Sequence, residues 1–197
     1  MAWVAAGSFF INDALAIEGV KDKKIGVQLY TVRDDMAIDP KGTLKQIAAM
    51  GFGEVENFGY NGKFFGMEAS EYKKVLDEYG LVAPSGHYLY GNFGNKQNPG
   101  TVLFGWEKAV ADAKAIGQTY MAIAFLMPEE RTSIAAYKKI AADLNKAGAI
   151  CKKAGIQLCY HNHEFEFQEH SPTKMLGSYD DALCGLPRGT WFLVSRD

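Results

Sequence analysis

Four glycines of this chain stand in one context, each closing an amphipathic helical stretch and opening an apolar or β-rich run. They occur in Ala49-Met50-Gly51-Phe52, Glu78-Tyr79-Gly80-Leu81, Ala115-Ile116-Gly117-Gln118 and Lys153-Ala154-Gly155-Ile156. Glycine takes the left-handed conformation just past a helix end without a steric penalty, so each marks a helix stop that feeds a strand. They recur at intervals of about 30 to 38 residues, near the size of one βαβ repeat.

Helical periods agree. Leu44, Ile47 and Ala48 share one face; so do Tyr72, Val75, Leu76 and Tyr79, and then Trp106, Ala109, Val110 and Ala113. A longer helix from about Thr132 to Ala154 puts Ile140, Leu144, Ala147 and Cys151 on one stripe. The intervening strands are expected at Ile25 to Tyr30, Gly53 to Asn57, Leu81 to His87, Thr119 to Phe125 and Ile156 to His161. Strands alternating with helices imply a parallel sheet, because parallel neighbours need helical crossovers.

Both an open doubly wound sheet and a barrel satisfy that order. A nucleotide-binding open sheet calls for a glycine-rich turn after its first strand, whereas here Tyr30-Thr31-Val32-Arg33-Asp34-Asp35 follows, without glycine. Most strands instead end in a polar or ionisable residue, which is how a barrel assembles one site from several strand ends. The fold class read from the sequence is α/β, a partial TIM (β/α)8 barrel with about five βα units.

Alternation along strands groups Gln28 with Tyr30, Glu54 with Glu56, Ser85 with His87, and Gln157 with Cys159, His161 and His163. If these sets point inward, Tyr30, Glu56, His87, His161 and His163 converge on one mouth. Carboxylate, imidazole and phenol side by side suit either a divalent metal or proton transfer at a sugar carbon. The run His161-Asn162-His163-Glu164-Phe165-Glu166 is the densest, with several metal-capable groups in one short segment. Each member also has a plainer reading: a hydrogen-bonded structural histidine, a rim ion pair for Glu56, a core-capping role for Gln28 and Tyr30, a solvated charge for Arg33. The Glu129-Glu130-Arg131 turn reads most simply as an exposed helix start.

Charge narrows the partners. With 21 Lys+Arg against 23 Asp+Glu, a net charge of −2 and no long basic run, nucleic acid is excluded as an expected partner. Cys151, Cys159 and Cys184 form no CxxC pair and read as core thiols. No transmembrane span is expected. The apolar stretch Ala2 to Ile11, followed by Ala14-Leu15-Ala16, fits a small-residue signal-peptidase site, yet no Lys or Arg precedes it. A signal remnant would make the protein periplasmic or exported; a plain apolar extension, residues 1–23, would leave it cytoplasmic.

Four blocks together resemble the sugar phosphate isomerase/epimerase family, which has a xylose isomerase-like TIM barrel: Ile25-Gly26-Val27-Gln28-Leu29-Tyr30-Thr31-Val32-Arg33-Asp34, Gly53-Glu54-Val55-Glu56, Ser85-Gly86-His87, and Gly155 through Phe167. The resemblance implies metal-assisted proton transfer on a small sugar through an enediolate-type intermediate, with a divalent ion (Mn, Mg, Co or Zn). It implies catalytic roles for Glu56, His87 and His163, substrate contacts from Gln28, Tyr30, Arg33 and Asn162, and metal ligation by His161, His163 and Glu166. A lyase that expels a hydroxyl from the same intermediate, and a carbohydrate-binding barrel without catalysis, are the alternatives.

An eight-stranded barrel takes about 250 residues, so at 197 the chain is expected to lack about three strands. The family's sixth strand carries an acidic ligand, and later strands a histidine and a glutamate. Here the resemblance covers roughly Lys24 to Gln168, Ser178 to Leu183 still looks like the next helix of the domain read over 24–183, and from Cys184 it ceases, with Trp191 to Val194 apolar and without the acidic end. A truncated or frame-shifted product is expected, or a short variant that completes its barrel as a homo-oligomer.

Overall fold

The protein is described by a computed structural model over residues 25–91 and 98–167. Five parallel strands lie there in sequential order: β1 (Gly26–Gln28), β2 (Glu54–Asn57), β3 (Val82–Leu89), β4 (Tyr120–Phe125) and β5 (Gln157–Tyr160). Helices α1 (Arg33–Ile38), α2 (Pro40–Ala49), α3 (Ala69–Tyr79), α4 (Trp106–Ala115) and α5 (Ile134–Ala154) connect them. Each helix from α2 onward packs on the next. An open doubly wound sheet reverses its strand order and carries helices on both faces. Sequential strands under one continuous helical layer are instead the wall of a barrel.

The periodic faces read from the sequence build the layer between sheet and helices. Leu44, Ile47, Tyr72, Val75, Leu76, Trp106, Ala109, Val110, Ala113, Ile140, Leu144, Ala147 and Cys151 are all buried, while Ala48 and Tyr79 pack at its margin. Removing such side chains from water is the main force holding helices to strands. Burial also pushes the Cys151 thiol up to about 12, so it behaves as a small apolar group. Cys159 is buried as well; Cys184 lies outside the described residues.

The glycine stops act as expected: Gly80 and Gly155 follow α3 and α5 with φ of 69° and 80°, which a Cβ would oppose. The longest helix begins at Ser133, whose side chain accepts from the Ala136 N–H.

Three local features depart from the sequence reading. The first strand ends at Gln28 rather than Tyr30, because the Gln28 side chain accepts from the Tyr30 N–H at 2.9 Å and turns Leu29–Val32 into a 3-10 helix. Tyr30 therefore leaves the sheet and does not share an inward face with Gln28; the residue is 56% exposed. The short helix α1 follows, and no periodicity announced it. Third, Glu129 and Glu130 are not a simple exposed helix start. They belong to a 3-10 turn, Pro128–Glu130, in which the Glu130 carboxylate accepts from the Met127 N–H at 2.8 Å.

Two tyrosines brace strand-end loops to helices of the following unit. Tyr60, after β2, donates to Asp112 of α4 at 2.6 Å, and Tyr90, at the end of β3, donates to Asp143 of α5 at 2.9 Å. Each aspartate also pairs with the lysine four residues before it, Lys108 and Lys139. The apolar stretch Ala2 to Ile11 and the tail from Cys184 to Asp197 lie outside the described residues.

Candidate active site

One irregularity in the sheet aligns the site. Glu54 pairs with Val82, but Glu56 pairs with Ser85 and Asn57 with Gly86, so β3 carries one extra residue between the two pairings. Pro84, which has no N–H for a ladder, falls in this bulge. Its effect is to bring Ser85 and His87 onto the face of β3 that looks at Glu56.

Around Glu56 the contacts are dense. Gln28 Nε2 donates to Oε1 at 2.7 Å, Ser85 Oγ donates to Oε2 at 2.5 Å, and His87 Nε2 lies 3.2 Å from Oε1. The carboxylate and imidazole side chains are 22% and 19% exposed, shielded from bulk water yet reachable from the mouth. Burial acts to raise the Glu56 carboxyl, but the hydrogen bond and charge of His87, then Ser85 and Gln28, outweigh it and hold the group below its ordinary 4.5. An ionised carboxylate only accepts, so His87 Nε2 carries hydrogen in both charge states of the ring.

Beyond His87 the mouth continues as a row of rings. The His87 and His161 centroids are 5.1 Å apart, and those of His161 and His163 are 5.0 Å apart. His163 stacks on Phe165 at 5.5 Å and 6°, meets Phe125 edge-on at 5.1 Å, and the Arg131 guanidinium lies over the Phe165 ring at 3.7 Å. Sequence reading missed Ser85 and Arg131 as contributors. Ser85 was signalled by its place two residues before His87; nothing local marked Arg131, whose Nε is held by the Leu126 carbonyl at 3.1 Å.

The structure thus brings together Gln28, Glu56, His87, His161 and His163. Tyr30 and Arg33 form a separate pair on the rim, the guanidinium 4.9 Å from the ring centroid and its Nη1 donating to the Tyr30 carbonyl at 3.3 Å. Tyr30 also meets Phe58 edge-on at 5.3 Å, and Phe58 meets Phe65 at the same distance. Asn162 is only 4% exposed, and its Oδ1 is buried without a hydrogen-bond partner among the described residues. Glu166 is fully buried: its oxygens accept from the Tyr160 hydroxyl and from the His163 N–H, the latter at 2.7 Å.

That placement bears on the divalent ion. Among the described residues no three His, Cys, Asp or Glu side chains come close enough to share a metal ion, and both Glu166 oxygens already serve the chain itself. The His163 Nδ1 is buried without a hydrogen-bond partner among the described residues, a donor atom of the right chemistry but without companion ligands. The described residues alone do not fit a closed metal centre.

Comparison with known proteins agrees with this architecture. A sugar phosphate isomerase/epimerase from Parabacteroides distasonis shares 25% identity at a TM-score of 0.65, covering 85% of this chain and 62% of that one. A second from the same organism shares 22% at 0.66, covering 82% and 63%. The IOLI protein, solved with a bound zinc atom, shares 12% at 0.52, covering 71% and 51%, a likeness of fold alone. The chain therefore spans less than two thirds of the length of these relatives. No curated protein matches it. The family model of the xylose isomerase-like TIM barrel matches residues 44–183, well over half of the chain, and with the sequential parallel strands and one-sided helical layer this establishes that the chain belongs to that family.

Proposed function

We propose that the strand-end mouth belongs to a sugar isomerase or epimerase, in which His87 and Glu56 move a proton at a carbon next to a carbonyl. The observation that carries this reading is the Glu56–His87 contact at 3.2 Å, backed by Gln28 and Ser85 on the same carboxylate. Neutral His87 takes the proton at Nδ1 while Glu56 stabilises the resulting imidazolium through Nε2–H. Return of the proton to the neighbouring carbon, with the hydroxyl proton passing from one oxygen to the other, gives isomerisation; protonation of the same carbon from the face opposite His87, by a second group or water, gives epimerisation. The intermediate's oxyanion needs hydrogen-bond donors or positive charge beside it, a role assigned in this reading to His161 and His163, whose rings lie in sequence beyond His87.

A divalent ion, which the family resemblance implies, would have to draw ligands from more than the described residues. The proton steps are therefore assigned to the chain's own groups. The substrate is a small sugar; the 25% identical relative is a sugar phosphate isomerase/epimerase, which supports the class without fixing a phosphate.

Incubating the chain with a panel of aldoses and ketoses in D2O, followed by proton NMR, tests this. Deuterium should enter the carbon beside the carbonyl of at least one sugar, and Glu56→Gln and His87→Gln should each suppress it. Exchange at the wild-type rate in both variants, or in no sugar at all, sinks the reading.

A further inference from the structure

Directly behind the Glu56–His87 pair, on the helix-facing side of the sheet, lie two buried amides that the proton chemistry does not use. Asn57 follows Glu56 and is 2% exposed; Gln118, just before β4, is 4% exposed. Tyr72 of α3 donates its hydroxyl to Asn57 Oδ1 at 2.6 Å, and Tyr88 of β3 donates to Gln118 Oε1 at 2.6 Å. Both phenols are themselves buried, and a buried phenol must place its one hydrogen. Each amide oxygen is thereby committed, which turns Asn57 Nδ2 and Gln118 Nε2 away. Among the described residues neither nitrogen has a partner. A buried amide N–H left without an acceptor is uncommon in native interiors and points to an ordered water.

Gly86 marks the place. It pairs in register with Asn57 and immediately precedes His87. A Cβ built on it would sit 2.5 Å from Gln118 Nε2 and 3.3 Å from both Asn57 Cβ and Tyr88 Cε2. Gln118 has little freedom to retreat, being buried and held through Oε1 by Tyr88. The bare Cα of Gly86 thus faces two amide side chains whose oxygens are anchored and whose nitrogens need an acceptor.

We infer that Asn57, Gly86 and Gln118 enclose a buried water site whose ligand accepts from both amide nitrogens, and that Asn57 and Gln118 are positioning residues for Glu56 and His87. Asn57 follows Glu56 in the chain, Gln118 is held by Tyr88, which follows His87, and the water ties β2 to the start of β4 across β3. The inference concerns the geometry of that pair and stands apart from whether a given sugar is turned over.

A crystal structure of the wild-type chain at a resolution that shows ordered water, together with imidazole 15N NMR of His87, tests it. Wild type should show density within hydrogen-bonding distance of both amide nitrogens, and a His87 ring in one tautomer with hydrogen on Nε2. Gly86→Ala puts a Cβ against Gln118 Nε2 and should push that donor away from the water, and Gln118→Met should remove the same donor while keeping the side-chain length. In each, the His87 nitrogen signals should move toward tautomer averaging, whereas the exposed-surface control Lys153→Ala leaves them in place. Absence of density in wild type overturns the water site and needs no variant. A folded Gln118→Met with unmoved His87 signals overturns the positioning role, even if its melting temperature falls.

Discussion

The two sides of the mouth are built to different degrees. On the side of β1 to β3, the Glu56 carboxylate meets Gln28, Ser85 and His87, and every one of those contacts runs between side chains of neighbouring strands. On the side of β5, the His161 and His163 rings meet at a tilt of 54° and His163 stacks on Phe165, the Glu166 carboxylate is turned inward to Tyr160 and the His163 backbone, and His163 Nδ1 and Asn162 Oδ1 have no hydrogen-bond partner among the described residues. The first side is a charge held by short cross-strand bonds; the second is a stack held by ring contact and one buried acid. Chemistry should therefore be concentrated on the first side and stability on the second.

The sharpest way to break that contrast is Glu56→Gln, which removes the anion and should lower deuterium exchange into a responsive sugar about 10²- to 10⁴-fold, the range for loss of a general acid–base group. Glu166→Ala probes the other side. It strips the Tyr160 hydroxyl and the His163 N–H of a buried acceptor and should cost about 3 kcal/mol, read as a lower urea midpoint at unchanged slope. An effect on stability from Glu56→Gln as large as that from Glu166→Ala would erase the distinction.

Ser85→Ala takes one donor from Glu56 and should cost about 1.5 kcal/mol, as hydrogen bonds to charged groups do. The pH dependence follows the same group. Because its folded-state value is depressed below 4.5, Glu56 contributes stability that is fully present above 4.5 and lost as pH falls through the folded-state value. Ser85→Ala should move that loss upward toward 4.5, and Glu56→Gln should abolish it, both visible in denaturation series from pH 6 to about 2. Smallest are the braces: Tyr60→Phe and Tyr90→Phe should each cost about 1 kcal/mol and leave the two sides of the mouth equally intact.

Legibility in the sequence followed the range of the physics. Helix stops and apolar stripes are local, so Gly80, Gly155 and the buried faces of α3, α4 and α5 were all readable. That Glu56 and His87 stand on neighbouring strands was readable as well from strand order, while the register that aligns them depends on the bulge. What escaped depended on single side chains redirecting the backbone. Gln28 caps its own turn and ejects Tyr30 from the sheet; Glu130 folds back on Met127. Glu166 sits in a segment dense with metal-capable residues, yet its carboxylate is consumed by Tyr160 six residues earlier, a pairing that composition cannot distinguish from ligation. The bulge at Pro84 was equally hidden, although without it Ser85 would not stand opposite Glu56.

The tyrosine braces carry a consequence for the order in which the molecule is made. Tyr60 waits 52 residues for Asp112, and Tyr90 waits 53 for Asp143, so each fastening becomes possible only when the next helix, the next strand and the helix after it have left the ribosome. Domains are synthesised from the N-terminus at a pace that lets earlier parts consolidate first. A wall stitched at such regular intervals is closed behind the growing end, one unit at a time, and each new helix secures the loop before last rather than its own.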